Sequence, residues 1–582
     1  MRHNKSGKQK AARHTPLEKG AVHKSHGGKI AAALCYPNTY SVAMGNLGFH
    51  QVYHLFNSFS DVVCERAVWE GETPHTIESG LPLQDFEIIA FSISYEPDVI
   101  NMARMLVKAG IPLSADERGR RNSPIILAGG VMAFLNPEPP APFADVVAVG
   151  EAEVLLAPFL EAYREFRTAD RQELFSGLCH VPGIYVPSLY EVSYNEEGTI
   201  HQMTAKADAP PVVERRFLPR LGEDMARTRV FTESAEFSDM VLVELGRGCV
   251  NSCRFCAAAY IYRPPRFAPA DKIKEVLQSS CDLRSKAGLV SASATDHPEF
   301  LNIREAVRQN NMSHSVASLR LEGVTPDLLA EMKEHGHKTI TLAPEAPTER
   351  LRRSINKPIK DSEILATMHM IGASGIPRLK LYLQAGLPSE TEEDVDAAGP
   401  FLERILEALA EGSNKKSWPG RLAVSVNPFV PKPATPFQWH PMAGRSVLQE
   451  RTARLKRAAM HLGRVSFSGT SVREACLQAV IARGDRRTAQ IIAKCAEQDT
   501  SAAGPLQRGG EGTPPGRFYS HRQREFAETL GWDHIDHGVK KKLLWKEYEN
   551  ALKEKTTPKC RPGRCELCDA CARAEKLRQK AD

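Results

Sequence analysis

The sequence predicts an α/β protein made of two successive parallel units and a helical C-terminal region that ends in a cysteine-rich knuckle. Three observations predict it. Short apolar runs bounded by Gly, Pro or Asn recur along the chain with helix-length segments between them, the pattern of parallel sheets joined by helical crossovers. Three cysteines, Cys249, Cys253 and Cys256, follow one such run directly at spacing C-x3-C-x2-C. Four more, Cys560, Cys565, Cys568 and Cys571, crowd into one short stretch near the end. At 582 residues the chain exceeds what one hydrophobic core organises. Its 42% apolar and 25% charged residues are those of a soluble globular protein. No apolar run is long enough to span a bilayer, and the N-terminus lacks the apolar stretch of a signal peptide. A cytoplasmic protein without a membrane partner is expected. In that compartment thirteen cysteines point to metal binding or catalysis rather than disulfides.

Residues 1–29 hold eight Lys/Arg and one acid, Glu18, a net of +7 against +6 for the whole chain, so the rest is close to neutral. With almost no apolar residues it reads as a disordered basic tail. Weak contact with nucleic acid through it is one reading, and a solvated terminus is the plainer one. Residues 30–165 form the first α/β unit. Strands are expected at residues 30–34, 87–94, 125–128 and 145–150, with a helix over 45–59. Gly129 and Gly130 end the third run and mark a ligand crevice at the strand ends. Residues 166–235 read as a connector with short strands near Ile184 and Tyr190. Cys179-His180 within it is a weak metal signal and reads better as a buried thiol.

Residues 236–440 form the second unit. Strands are expected at residues 241–245, 289–292, 315–319, 339–342, 379–383 and 422–426, with helices over 271–285, 326–335 and 392–411. Ser389 to Glu392 fits a capping box for the last helix. Six β/α repeats make a partial (β/α)6 barrel, short of the eightfold form, with ligands at the C-terminal strand ends. Polar residues stand at those ends, among them Ser293, Arg320 and Glu345, and Gly386 after the fifth strand lets backbone approach a ligand closely. Residues 441–582 read as helical and charged, with a Gly/Pro-rich mobile loop over 498–516 and a four-cysteine module at 560–571.

The three-cysteine loop carries the chemistry. Soft thiolates on a short loop suit iron–sulfur or zinc binding. A structural site is closed by a fourth protein ligand, so three ligands leave an open position for chemistry. A zinc site completed by a distant residue is the alternative. The C-terminal quartet has its four ligands and suits a structural or electron-relaying metal, either a second [4Fe–4S] cluster or zinc.

The spacing, with Phe255 before the last cysteine and a strand before the loop, resembles the radical S-adenosylmethionine (SAM) enzymes. The resemblance implies a [4Fe–4S] cluster on Cys249, Cys253 and Cys256, SAM on the open iron, and one-electron cleavage of SAM to a 5′-deoxyadenosyl radical that attacks a substrate. It also implies an electron donor such as flavodoxin or ferredoxin. Phe255, Ser293, Arg320, Glu345 and Gly386 are then candidate SAM contacts, although the usual Gly-Gly-Glu after the second strand is absent. The first unit resembles the Rossmann-like cobalamin-binding domain often fused ahead of such barrels, through Ala128 to Gly130, Asn136 to Glu138 and Asp145 to Glu151. The Asp-x-His-x-x-Gly signature of a lower axial histidine is replaced by Ala43-Met44-Gly45-Asn46-Leu47-Gly48. Cobalamin, if bound in the crevice at Gly129 and Gly130, has no such ligand. The string from Ser318 to Pro388 resembles the methylthiotransferase-like members. A methylthiotransferase acting on tRNA or protein is therefore an alternative to methyl transfer. A nucleic-acid-binding protein with structural metal sites is the alternative of another class.

Overall fold

The computed structural model describes residues 17–120, 123–222, 224–316, 319–563 and 567–581. Most of the basic tail (residues 1–16), Ser318 and Cys565 lie outside the described residues. The end of the tail is folded rather than disordered. Glu18–Lys19 pairs with Phe231–Thr232, and the Lys24 ammonium donates to the carbonyls of Asn57, Phe59 and Val62.

The first unit is a six-stranded sheet. Its strands are β1 (Ile30–Tyr36), β2 (Val62–Val68), β3 (Ile88–Ser92), β4 (Ile125–Gly129), β5 (Val146–Ala148) and β6 (Ile184–Tyr185). The order is β2-β1-β3-β4-β5-β6, parallel except for the antiparallel edge β6. Helices α1 (Leu47–Ser58), α2 (Asp98–Lys108) and α3 (Ala152–Phe166) are among those that flank it. Both faces are covered, so the central strands are continuous apolar runs, and every residue of β1 is buried. The second strand breaks that pattern with Glu65 and Arg66. Both are buried, Arg66 between the carboxylates of Glu18 and Glu78. The chain leaves β1 in opposite directions to reach β2 and β3, which puts a crevice at the C-terminal ends of β1 and β3.

The second unit has all six expected strands and a seventh. β7 (Val241–Glu244), β8 (Lys286–Val290) and β9 (Ser313–Val316) form one parallel sheet. β10 (Thr339–Glu345), β11 (Arg378–Ala385), β12 (Arg421–Pro428) and β13 (Val465–Ser468) form another. Among the described residues no ladder joins β9 to β10. Helices α4 (Ala270–Ser280), α5 (Phe300–Gln309), α6 (Pro326–Glu334), α7 (Asp361–Ser374), α8 (Ala398–Gly412) and α9 (Arg445–His461) lie outside the strands. Thr391, not Ser389, caps the short helix that precedes α8, in a reciprocal box with Asp394.

The C-terminal region is woven into both units. β13 extends the barrel sheet. Helices α10 (Val472–Arg483) and α11 (Thr488–Glu497) share an apolar core with the first sheet. The stretch expected as a mobile loop carries a short helix, Ala503–Arg508, with Leu506 buried in that core. Helices α12 (Lys541–Leu552) and α13 (Ala570–Ala581) close the chain. No helix among the described residues is long and apolar enough to cross a membrane.

Candidate functional site: a cysteine loop at the mouth of a shared cavity

Strand β7 ends at Glu244, and Gly246–Arg247 pairs back on Arg266–Phe267. Gly248 then turns the chain with φ of +81°, and a Cβ there would sit 2.8 Å from the Tyr262 carbonyl oxygen. Only glycine fits. Cys249 follows, and its Sγ accepts a hydrogen bond from Asn251 Nδ2 at 3.4 Å. The same amide donates to Asp296 Oδ2 at 3.0 Å, which ties the loop to the end of β8. Cys253 is buried, and Cys256 precedes a short helix, Ala258–Ile261.

The three thiols sense one another. Burial, then the neighbouring Cys253 and Cys249, pushes the Cys256 thiol up to about 12, against backbone N–H groups of Ala259 and Ala258 that favour the thiolate. Burial also raises Cys253, opposed by the nearby cations of Lys357 and Arg320. Three thiols whose ionised forms repel one another call for a cation among them, and an all-sulfur donor set suits iron–sulfur or zinc.

The polar surroundings fit a zwitterionic ligand beside such a metal. Arg320 is near Cys253 and Cys249, pairs with Glu322 at 2.9 Å, and has its Nε buried without a partner. Ser293 is buried and its hydroxyl is also unpartnered. Glu345 is buried, accepts from Lys357 Nζ at 3.0 Å and from Gln384 Nε2 at 2.9 Å, and lies near Cys253. Phe255 packs into an apolar cluster with Trp439 and Tyr548. Gly386 has a packing reason to be glycine: at φ +81° its missing Cβ would lie 2.5 Å from Leu448 Cδ2 of α9.

A cavity of about 730 Å³ runs between the two units. Its first-unit wall includes Asn46, Ser92, Gly129 and Gly130 at the strand ends, with Phe91, Phe134 and Phe159 behind them. Its second-unit wall includes Glu244, Gly246, Arg247 and Gly248, with Ser291 and Ser315. It therefore reaches the residue before Cys249. Most of the lining is apolar, and no histidine is part of it. His50 lies elsewhere, its ring nitrogens facing the Met44 carbonyl and the N–H groups of Arg229 and Val230, and burial lowers its pKa to about 4. Gly130 has a local reason to be glycine, since a Cβ there would meet the Ile93 carbonyl at 2.5 Å.

A buried charge cluster locks this geometry. Arg247, two residues before Cys249, is held by Glu151, Glu153 and Glu244. Glu151 also binds Arg266 and lies 3.6 Å from Arg215. Despite burial, these arginines hold the Glu151 carboxyl down at about 2.

Two sequence families match the chain, one described as "Radical SAM proteins, N-terminal" over residues 48–187 and one as "Radical SAM superfamily" over residues 243–402. Together they span just over half of it. The chain belongs to the radical SAM superfamily. Membership implies a [4Fe–4S] cluster and SAM as cofactors. The N-terminal match is to a radical SAM family whose description names no cobalamin. An uncharacterized protein of Methanocaldococcus jannaschii is 24% identical over 464 residues, 79% of this chain and 90% of the relative. One of Methanopyrus kandleri is 24% identical over 369 residues, 54% of this chain and 61% of the relative. Among solved structures, coproporphyrinogen III oxidase of Escherichia coli is 16% identical with a TM-score of 0.26, over 38% of this chain and 52% of that one. Streptococcus suis SuiB bound to SAM is 10% identical with a TM-score of 0.28, over 40% of this chain and 50% of that one. The matches thus span about half the length of these two enzymes.

Sequence reasoning missed how close this radical SAM loop lies to the end of the chain. Cys560 N donates to the Val250 carbonyl at 2.6 Å. Arg263 donates to Ser252 Oγ at 3.0 Å and also contacts Cys568. Arg254, inside the loop, is fully buried and pairs with Glu547 of α12 at 3.1 Å while donating to the carbonyls of Ser354 and Lys555. Arg263 of the loop region thus stands beside Cys568 of the quartet.

Proposed function

We propose that this radical SAM enzyme modifies a largely apolar substrate held in the cavity between its two units. Cys249, Cys253 and Cys256 are the cluster ligands in this reading. When bound and reduced, the cluster supplies the electron that cleaves SAM. The chain's own residues hold the reactants. Arg320 offers a cation to the SAM carboxylate, and Glu345, steadied by Lys357, offers an acceptor to its ammonium. Ser293 is a further donor. Phe255 packs behind the loop and fixes its shape. The single observation that carries the reading is that the cavity wall includes Gly246, Arg247 and Gly248 and so borders the start of the cysteine loop. The apolar walls exclude water from that space, which a reactive radical requires. A one-electron donor of flavodoxin or ferredoxin type belongs to the same proposal.

Methyl transfer through cobalamin is a second reading. The cavity at the strand ends of the first sheet and its Gly129-Gly130 floor favour it, and such a corrinoid has no histidine ligand from the lining. Methylthiotransfer ranks lower: it calls for a second cluster on three cysteines of the first unit, and Cys35 and Cys64 there are buried in β1 and β2. Anaerobically purified, reduced protein incubated with SAM tests the main reading: 5′-deoxyadenosine forms, and a protein with a full complement of iron that forms none overturns it. Hydroxocobalamin titrated into the full-length protein tests the second, and an unchanged corrinoid spectrum removes it.

A further inference from the structure

A second cluster of metal-ligating side chains lies at the opposite end of the barrel from the cysteine loop. His314 is the second residue of β9, and Glu331 and His335 are one turn apart at the end of α6, the helix that returns from β9. Each contributes a ligand atom to a group whose members all lie within 4.8 Å of one another. His314 is completely buried, yet both its ring nitrogens lack a hydrogen-bond partner. Its Nδ1 lies 3.1 Å from Glu331 Oε1, out of line for a hydrogen bond. His335 Nδ1 is buried and unpartnered too. A buried imidazole with two idle nitrogens costs free energy unless something binds it.

The surroundings are those of a metal site's outer shell. Arg304 Nε donates to Glu331 Oε2 at 2.7 Å, which fixes the carboxylate and leaves Oε1 facing His314. His337, two residues ahead of β10, bonds to the His314 carbonyl oxygen. Carboxylate ligands held by a second hydrogen bond are the usual arrangement. The position also has a mechanical sense. Among the described residues, the seam between β9 and β10 is where the barrel's strands lack a ladder. A metal on β9 and α6 would pin the lead-in to that seam.

We propose that His314, Glu331 and His335 bind one divalent transition metal of the zinc class, with water completing the tetrahedron. Two imidazoles and one carboxylate suit zinc and rule out a preference for calcium or magnesium, which take oxygen ligands. This site is independent of the SAM chemistry: its ligands stand at the N-terminal ends of the strands, where barrels carry stability rather than catalysis.

The test uses full-length, cluster-loaded protein with Cys568→Ser and Cys571→Ser to silence the C-terminal quartet. After equilibration with zinc sulfate and removal of loose metal, mass spectrometry should count about one zinc per chain, and adding His335→Gln or His314→Gln should cut retained zinc about tenfold or more. X-ray absorption at the zinc edge should show nitrogen and oxygen neighbours with imidazole scattering and no sulfur. Zinc retention that survives both histidine substitutions, no retention by the parent, or a shell without imidazole overturns the proposal. His335 sits at a helix end, so His335→Gln should keep the fold, checked by an unchanged melting curve without zinc. Should the cysteine variants not fold, the absorption measurement on zinc-treated wild-type protein decides by the same criterion of imidazole in the shell.

Discussion

Arg247 Nη1 donates to Glu151 Oε2 at 2.9 Å, across 96 residues of sequence. One residue opens the helix after the fifth strand of the first sheet. The other stands two positions ahead of Cys249. The pair therefore sets the angle at which the cysteine loop faces the cavity. Glu151→Gln leaves the Arg247–Arg266–Arg215 group short of a carboxylate inside the protein. Breaking a buried pair in this way costs roughly 3–5 kcal/mol. Urea unfolding of the cluster-free protein at neutral pH should show that loss, and a change under about 1 kcal/mol would mean that the cluster does not hold the units together.

The same carboxylate has a pH signature. Its pKa is about 2 in the folded chain, below its unfolded value. A depressed carboxylate contributes stability that is full above the unfolded pKa, roughly 4.3, and is lost as pH falls through the folded pKa. The stability gap between wild type and Glu151→Gln should therefore be constant from pH 7 to 5 and narrow steadily below. A gap that widens on acidification would reverse the sign and refute the assignment.

Gly386 separates packing from ligand binding. Its φ of +81° and the 2.5 Å approach of Leu448 to the missing Cβ leave no space for alanine. Gly386→Ala should cost about 1–3 kcal/mol of stability. Leu448→Ala in the same chain should recover the steric part and not the backbone strain. SAM affinity, measured calorimetrically on folded variant protein, should stay within about threefold of wild type. A selective collapse of SAM affinity with unchanged melting would restore the glycine to the binding site.

Much of this fold is legible in the sequence because buried parallel strands must be apolar on both faces. The runs around β1, β3, β4 and β11 announce themselves for that reason. β2 does not, since Glu65 and Arg66 interrupt it, and only the distant Glu18 and Glu78 make Arg66 tolerable inside. β13, Val465–Ser468, alternates polar and apolar residues at a sheet edge and is too short to stand out. The cysteine spacing marks the proposed cluster loop, because ligand geometry would impose such a local pattern. The partners that shape the site, Glu151 for Arg247 and Glu547 for Arg254, are long-range, and no local pattern pairs an arginine with one glutamate among many.

Arg254 and Glu547 give the clearest case of such a partnership. Arg254→Gln leaves Glu547 buried with Thr557 and Asn550 as its remaining side-chain partners and releases the Ser354 and Lys555 carbonyls. The C-terminal region should loosen, with limited proteolysis cutting near residue 555 before the barrel is touched. Glu547→Gln combined with Arg254→Gln should be less destabilised than the sum of the two single changes, by about 1–3 kcal/mol in a double-mutant cycle. Additive effects would show that the two side chains act separately.

The four C-terminal cysteines make the last prediction. Cys560, Cys568 and Cys571 are described, and Cys560 is bonded through its backbone to Val250 in the cluster loop. Arg263 lies between Ser252 of that loop and Cys568, so a metal on the quartet would share this cation with the radical SAM site. Four thiolates close a tetrahedral site and leave no position for substrate, which suits a structural or electron-relaying metal. Two clusters give about eight irons per chain, and one cluster with a zinc knuckle gives about four irons and one zinc. Cys568→Ser with Cys571→Ser should remove the second metal alone. If that metal relays electrons, the double variant should lose SAM cleavage driven by a protein donor while keeping cleavage driven by a small chemical reductant. Equal loss with both reductants would make the quartet structural, and unchanged metal content would show that it binds none.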